Sequence, residues 1–146
     1  MVSMSSTLGA DLLSVVARIN RLANQRVRKP IPFAQARLLS TIEDQGEARI
    51  SDLAALDHCS QPTMTTQVRR LEDAGMVTRT SDPQDARAVL IRITPDGVAA
   101  LRQARLDRGA AIDPYLEQLS DAERECLTEA VVVMRRLIKD AAPDPR

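Results

Sequence analysis

Aromatic side chains are almost missing from this sequence: its 146 residues include one Tyr, one Phe and no Trp. A core must then be assembled from Leu, Val, Ile, Ala and Met, a palette that favours helix on helix over a β-sandwich. The same scarcity argues against the aromatic platforms on which single-stranded nucleic acid stacks. Two cysteines, Cys59 and Cys126, are too few for a disulfide framework. With a single histidine, His58, they form no metal-ligating set, so neither metal nor cofactor is expected. His58 adjoins Cys59, and chain neighbours seldom align as base and nucleophile. There is no Gly-rich phosphate loop either, so the residues do not read as an enzyme. No apolar run approaches the roughly 18 residues of a membrane helix, and the N-terminus carries no basic, apolar leader. The expected location is the cytoplasm, with no membrane partner.

Charge is balanced but unevenly spread. Twenty basic side chains face twenty acidic ones, so any affinity for a polyanion has to be local. Between Leu12 and Ile42 lie Arg18, Arg21, Arg26, Arg28, Lys29 and Arg37 and no acid. From Asp113 to Glu129 the balance reverses, with Glu117, Asp121, Glu123, Glu125 and Glu129 against Arg124. Such clusters mark either solvated helix faces or one basic binding face. The length suits one domain with a substantial core.

Leu8, Leu12, Val15, Ile19 and Leu22 recur at four-three spacing, the seam of an amphipathic helix that Pro30 and Pro32 should end. A second helix is predicted from about Pro32, with Phe33, Ala36, Leu39 and Ile42 on its apolar face and Gly46 as its stop. After an extended piece at 48–50, Ser51 is placed as the cap of a short helix. Ser60 caps the next, where Pro62 is tolerated in the first turn. Met64, Val68 and Leu71 form the inner face of that helix, and Thr63, Thr66, Gln67 and Arg70 lie largely off it. Gly75 suits a left-handed stop. Val77 to Arg79 and Ala88 to Ile93 read as two strands around a polar turn at 81–87. Thr94 caps a long helix with Pro95 in its first position and Pro114 as its expected kink or end. Ser120 and Glu123 make a capping box for the last helix. Its seam is Leu127, Val131, Met134 and Ile138, and residues 142–146 should fray.

The segment Leu71 to Gly97, LEDAGMVTRTSDPQDARAVLIRITPDG, carries a compound pattern. Leu71, Glu72, Gly75 and Val77 fit a helix end L-E-x-x-G-x-V. Asp82, Asp85 and Arg87 fit a hairpin D-x-x-D-x-R, and Ile93, Thr94 and Gly97 fit a strand close of L-T-x-x-G with Ile for Leu. In this the chain resembles the MarR family of transcriptional regulators, and its helix order matches over nearly the whole length. The resemblance implies a mainly α fold with a small β-hairpin wing, a winged helix-turn-helix with N- and C-terminal dimerisation helices. It further implies a single domain over 1–146, with a DNA-binding lobe at about 32–94 and a helical dimerisation region at about 6–29 and 95–141.

The implied partners are a palindromic double-stranded DNA operator, a second copy of the chain and, as in many members, a small-molecule effector that releases the DNA. The helix Gln61 to Ala74 would enter the major groove. Ser60, Gln61, Thr63, Thr65, Thr66 and Gln67 could meet base edges or phosphates, and Arg69 and Arg70 supply charge unless one pairs with Glu72 or Asp73. Arg87 at the hairpin tip would enter the minor groove, with Asp85 holding the wing and orienting it. Gln67 departs from the family, which usually has an apolar residue there. Arg18, Arg21 and Arg37 are candidate partners for an anionic effector. Two alternatives stand beside this reading. One is a winged-helix module for protein contact; the other is a thiol redox sensor using Cys59, whose blander role is packing in a turn. Cys126 is expected to pack.

Overall fold

The computed structural model describes residues 5–27 and 31–141. Arg28, Lys29 and Pro30, and the tail predicted to fray at 142–146, lie outside the described residues. The elements run α1 (Ser5–Arg26), α2 (Phe33–Gln45), β1 (Ala48–Arg49), α3 (Ile50–Leu56), α4 (Gln61–Asp73), β2 (Val77–Asp82), β3 (Asp85–Ile93), α5 (Pro95–Leu116) and α6 (Asp121–Ala141). They divide into two compact units, Met1–Gly109 and Ala110–Arg146, with the boundary inside α5.

In the first unit the core is aliphatic, as the lack of aromatics requires. Leu39 and Ile42 from α2, Leu53 from α3, Met64, Val68 and Leu71 from α4 and Ile91 from β3 are fully buried. Each contributes roughly 1.5–3 kcal/mol by leaving water. The predicted inner face of α4 is therefore its buried face. On α2 the structure corrects the sequence reading: Leu38 joins the core and Phe33 lies largely exposed. Phe33 sits in the first turn, beyond the reach of the α3–α4 core, and packs instead under the Arg108 guanidinium, 5.3 Å from its ring centre.

Gly46 closes α2 with φ of 73°, and Gly75 follows α4 with φ of 74°, backbone that a Cβ resists. Ser60 caps α4 as expected, its Oγ accepting the Thr63 N–H at 3.2 Å. Ser51 does not cap α3. That helix opens at Ile50, directly from β1, with Arg49 in the cap position and no side-chain cap bond. Between α3 and α4 the chain reverses through His58, whose φ of 50° is unusual for a residue with a side chain.

The ribbon is longer and broader than the two short strands expected. β2 and β3 extend through the polar segment until only Pro83 and Gln84 connect them, and β1 adds a third strand in the order β1-β3-β2. All pairing is antiparallel, with Ala48 opposite Ile91, Val77 opposite Ile93 and an irregularity at Ser81/Asp82. The extension reflects ladder hydrogen bonding that tolerates exposed polar side chains, so composition alone hid it.

Thr94 is the joint between sheet and α5. Its N–H donates to the Met76 carbonyl at 2.9 Å, its Oγ1 donates to the Gly75 carbonyl at 2.6 Å, and the same oxygen accepts the Gly97 N–H at 3.0 Å. Pro114 does not end α5, which continues to Leu116. One turn from a helix end, few backbone bonds remain for the proline to break.

In the second unit the capping box forms in both directions: the Ser120 N–H donates to Glu123 at 2.8 Å, and the Glu123 N–H donates to Ser120 Oγ at 3.2 Å. The first of these, the Ser120 N–H, holds the Glu123 carboxyl below its ordinary pKa. No residue of α6 is buried. Leu127, Val131, Val132, Val133, Leu137 and Ile138 are all exposed in the single chain, and Cys126 is exposed rather than packed.

Candidate nucleic-acid interface

The helix-turn-helix pair is α3 and α4, joined by the four residues 57–60. Burying Met64, Val68 and Leu71 turns Gln61, Thr63, Thr66, Arg69 and Arg70 outward, whereas Thr65 and Gln67 are half-buried. The hydroxyls are partly committed. Thr65 Oγ1 donates to the Gln61 carbonyl at 2.8 Å and Thr66 Oγ1 to the Pro62 carbonyl at 3.1 Å, so both offer mainly lone pairs outward. Ser60 Oγ donates to Thr63 Oγ1 at 2.8 Å, which leaves the Thr63 proton free to donate.

Charge on this face is organised by pairs the sequence did not announce. Glu72 pairs with Arg79 on β2 rather than with Arg69 or Arg70. Neither Arg69 nor Arg70 forms an ion pair among the described residues. Asp85 accepts the backbone N–H of Arg87 at 3.0 Å, so it shapes the wing turn without holding the guanidinium. Arg87 itself is exposed and has no ion-pair partner among the described residues.

The carboxylate that anchors the wing is Asp82, only 8% exposed. Its Oδ2 accepts from Arg49 Nε at 3.1 Å and Nη2 at 2.5 Å, and its Oδ1 accepts the Gln84 N–H at 2.9 Å. The Gln84 N–H and then Arg49 hold the Asp82 carboxyl below its ordinary pKa, and Asp82 in turn raises that of Arg49. Asp82 stood in the D-x-x-D-x-R pattern, but nothing local marked its partner, 33 residues away. Arg49, Ser51, Gln61, Arg79, Arg87 and Val89 line an open groove of about 300 Å³ between α4 and the wing.

A second region lies where α1, α2 and the first part of α5 meet. Two adjoining hollows of about 220 and 260 Å³ share Phe33, Ala36, Ala104 and Arg108 as walls. Arg108 donates to Asn20 Oδ1 at 2.8 Å, while its buried Nε has no partner. Arg105 is tied to Glu43 at 2.9 Å and Ser40 at 3.2 Å. Arg37 borders one hollow but is paired with Asp57 at 2.5 Å, and Arg18 and Arg21 line neither. The predicted arginine trio is thus not brought together; Arg108 is the basic group common to both hollows. Cys59 is half-buried against the core, next to the α4 cap.

A two-helix turn whose second helix turns a polar face outward, followed by a β-hairpin wing, defines a winged helix-turn-helix protein. Comparison with known proteins narrows the class. The model of the MarR family matches residues 31–89. An HTH-type transcriptional regulator of Mycobacterium bovis is 28% identical over 142 residues, covering 97% of this chain and 99% of the relative. Wild-type MarR of E. coli in its apo form superposes with a TM-score of 0.68 at 25% identity, over 93% of this chain and 96% of that one. BpsR of Bordetella bronchiseptica, whose DNA binding is regulated by 6-hydroxynicotinic acid, superposes with a TM-score of 0.58 at 25% identity, over 97% and 99%. The chain is similar to the MarR family of helix-turn-helix transcriptional regulators across residues 31–89 and shares the fold of its solved members. Its relatives are named as regulators of transcription.

Proposed function

We propose that this protein is a sequence-specific, dimeric regulator that binds a palindromic duplex operator and represses from it, acting in the cytoplasm. The observation that carries the reading is the outward face of α4: Gln61, Thr63, Thr66, Arg69 and Arg70 project from a helix held rigidly by three fully buried residues. Short polar groups and two unpaired guanidinia on one helix face suit base edges and flanking phosphates. Ser60, Thr65 and Gln67 support that face, the first as its cap. Arg87, unpaired at the wing, would insert into a narrow minor groove, with Asp85 fixing the turn that presents it.

Residues 32–94 would serve as the DNA-binding lobe, and 6–29 with 95–141 as the dimerisation region. The apolar seams favour this: Leu8, Val15 and Ile19 on α1 and Leu127, Val131 and Ile138 on α6 are exposed in the single chain. An exposed apolar seam of this kind marks an interaction site. An isologous dimer would set two recognition helices about 34 Å apart, one DNA turn. The hollow at Arg108 and Phe33 supports an anionic small-molecule effector, since a buried guanidinium Nε without a partner is costly until an anion meets it.

The test is selection of DNA from a random duplex pool with the wild-type protein and with Arg87→Ala. An enriched palindrome is expected, with A·T-rich flanks whose preference fades in the variant, and Arg87→Ala should bind the site about 1–3 kcal/mol more weakly. No enrichment at low salt would refute the reading, and so would binding that ignores ionic strength.

A further inference from the structure

We infer that the groove between α4 and the wing is a seat for one backbone phosphate of the bound duplex, formed by Arg49 and Arg79, while Arg87, also among its walls, serves the minor groove. The inference rests on the DNA-binding reading above. Three guanidinia line this groove together with Ser51 and Gln61, and no acidic side chain is among its walls. The carboxylates that neutralise two of them stand outside it: Glu72 pairs with Arg79, and Asp82 with Arg49. Each pair uses part of its arginine. Arg79 commits Nε to Glu72 and Arg49 commits Nε and Nη2 to Asp82, while a guanidinium has five N–H donors in a fixed fork. The carboxylates therefore hold two planar donors in place.

A phosphodiester fits this better than a free small molecule for two reasons. The groove is open along one side, as a group presented on a larger body requires. Its position is the second reason. Gln61 begins the helix proposed for the major groove and Arg87 tips the wing proposed for the minor groove. The strand that separates those two grooves has to pass between them, where one of its phosphates meets Arg49 and Arg79.

Arg79 is the residue to test, because it is absent from the proposed base-reading set. On the duplex enriched by the wild-type protein, Arg79→Gln should lower the slope of log Kd against log salt by about 0.9 per protomer. It should weaken binding about tenfold at moderate salt and leave the selected sequence unchanged, while Arg79→Lys keeps most of the slope. A scan of neutral methylphosphonate linkages should find one linkage per half-site whose neutralisation weakens the wild type about tenfold and Arg79→Gln hardly at all. Thermal melting within a few degrees of wild type shows that the variant folds; if it does not, the linkage scan on the wild type with Arg79→Lys decides alone. A full slope in Arg79→Gln, or equal sensitivity to every linkage, overturns the seat while the regulator reading stands. Inorganic phosphate that displaces DNA better than chloride at equal ionic strength would make the groove a free-anion site and overturn it too. If the wild type enriches no duplex, both readings fall.

Discussion

Gly97→Ala separates two forces of opposite sign. Gly97 lies in the first turn of α5, and by helix propensity alone an alanine there should stabilise by about 1 kcal/mol. Packing opposes it. A Cβ at Gly97 would overlap the Met76 carbonyl oxygen and stand 2.8 Å from Ile93 Cγ1 and 3.0 Å from the Met76 carbonyl carbon. Ordinary contact begins near 3.4 Å, so Ile93 would have to retreat by about 0.6 Å and the Met76 peptide further. Overpacking of this kind costs about 1–3 kcal/mol. The Met76 carbonyl also accepts the Thr94 N–H, a bond worth about 1 kcal/mol that its displacement weakens. Against the propensity gain, the net loss is about 1–3 kcal/mol, a fall of several degrees in Tm for a chain of this size. Gly109→Ala is the control: it is in the same helix, nothing lies within 4 Å of its Cβ, and it should gain about 0.5–1 kcal/mol. Urea melts of both variants at one protein concentration decide the matter. A Gly97→Ala protein as stable as wild type would refute the close approach of sheet and helix at Thr94.

Ser60→Ala should destabilise by about 1 kcal/mol through loss of the α4 cap, and denaturant midpoints with an unchanged m-value would check it. The Asp82 clasp predicts an acid limb. Its folded pKa lies below the unfolded one, so its stabilisation is fully present above the ordinary carboxylate range and is lost as pH falls through the depressed folded value. Asp82→Asn should be less stable than wild type at neutral pH, and the gap should narrow on acidification below about pH 4. Melts from pH 7 to pH 3 that ran parallel would exclude the clasp as a source of stability.

What was legible in the sequence was local. Ser60 and Pro62, the Ser120–Glu123 box, Thr94 with Pro95 and the apolar spacing of Met64, Val68 and Leu71 all act within a few residues, and each stands where the pattern placed it. The contacts that escaped notice join distant segments. A two-residue strand such as β1 has no periodicity to detect, and only Ile91 and Leu90, some forty residues on, make it a strand. Arg49 with Asp82, Arg79 with Glu72 and Arg108 with Phe33 are likewise made by the fold. The same limit explains the misplaced roles. Asp85 looked like the orienting acid for Arg87 because it is near in sequence, and Arg37 looked available because Asp57 is not.

The central position of β3 has a mechanical consequence. The strand that carries the wing is pinned on its far edge by β1, which runs without a linker into α3. β1 thereby ties the far end of the wing strand to the helix-turn-helix. In the proposed complex, a duplex whose grooves do not match the spacing of wing and α4 would have to twist or bend to fit, at an elastic cost set by its sequence. Selectivity then extends to base pairs that no side chain touches. A substitution that loosens Ala48 from Ile91 would relax the choice of DNA without altering any group that meets it.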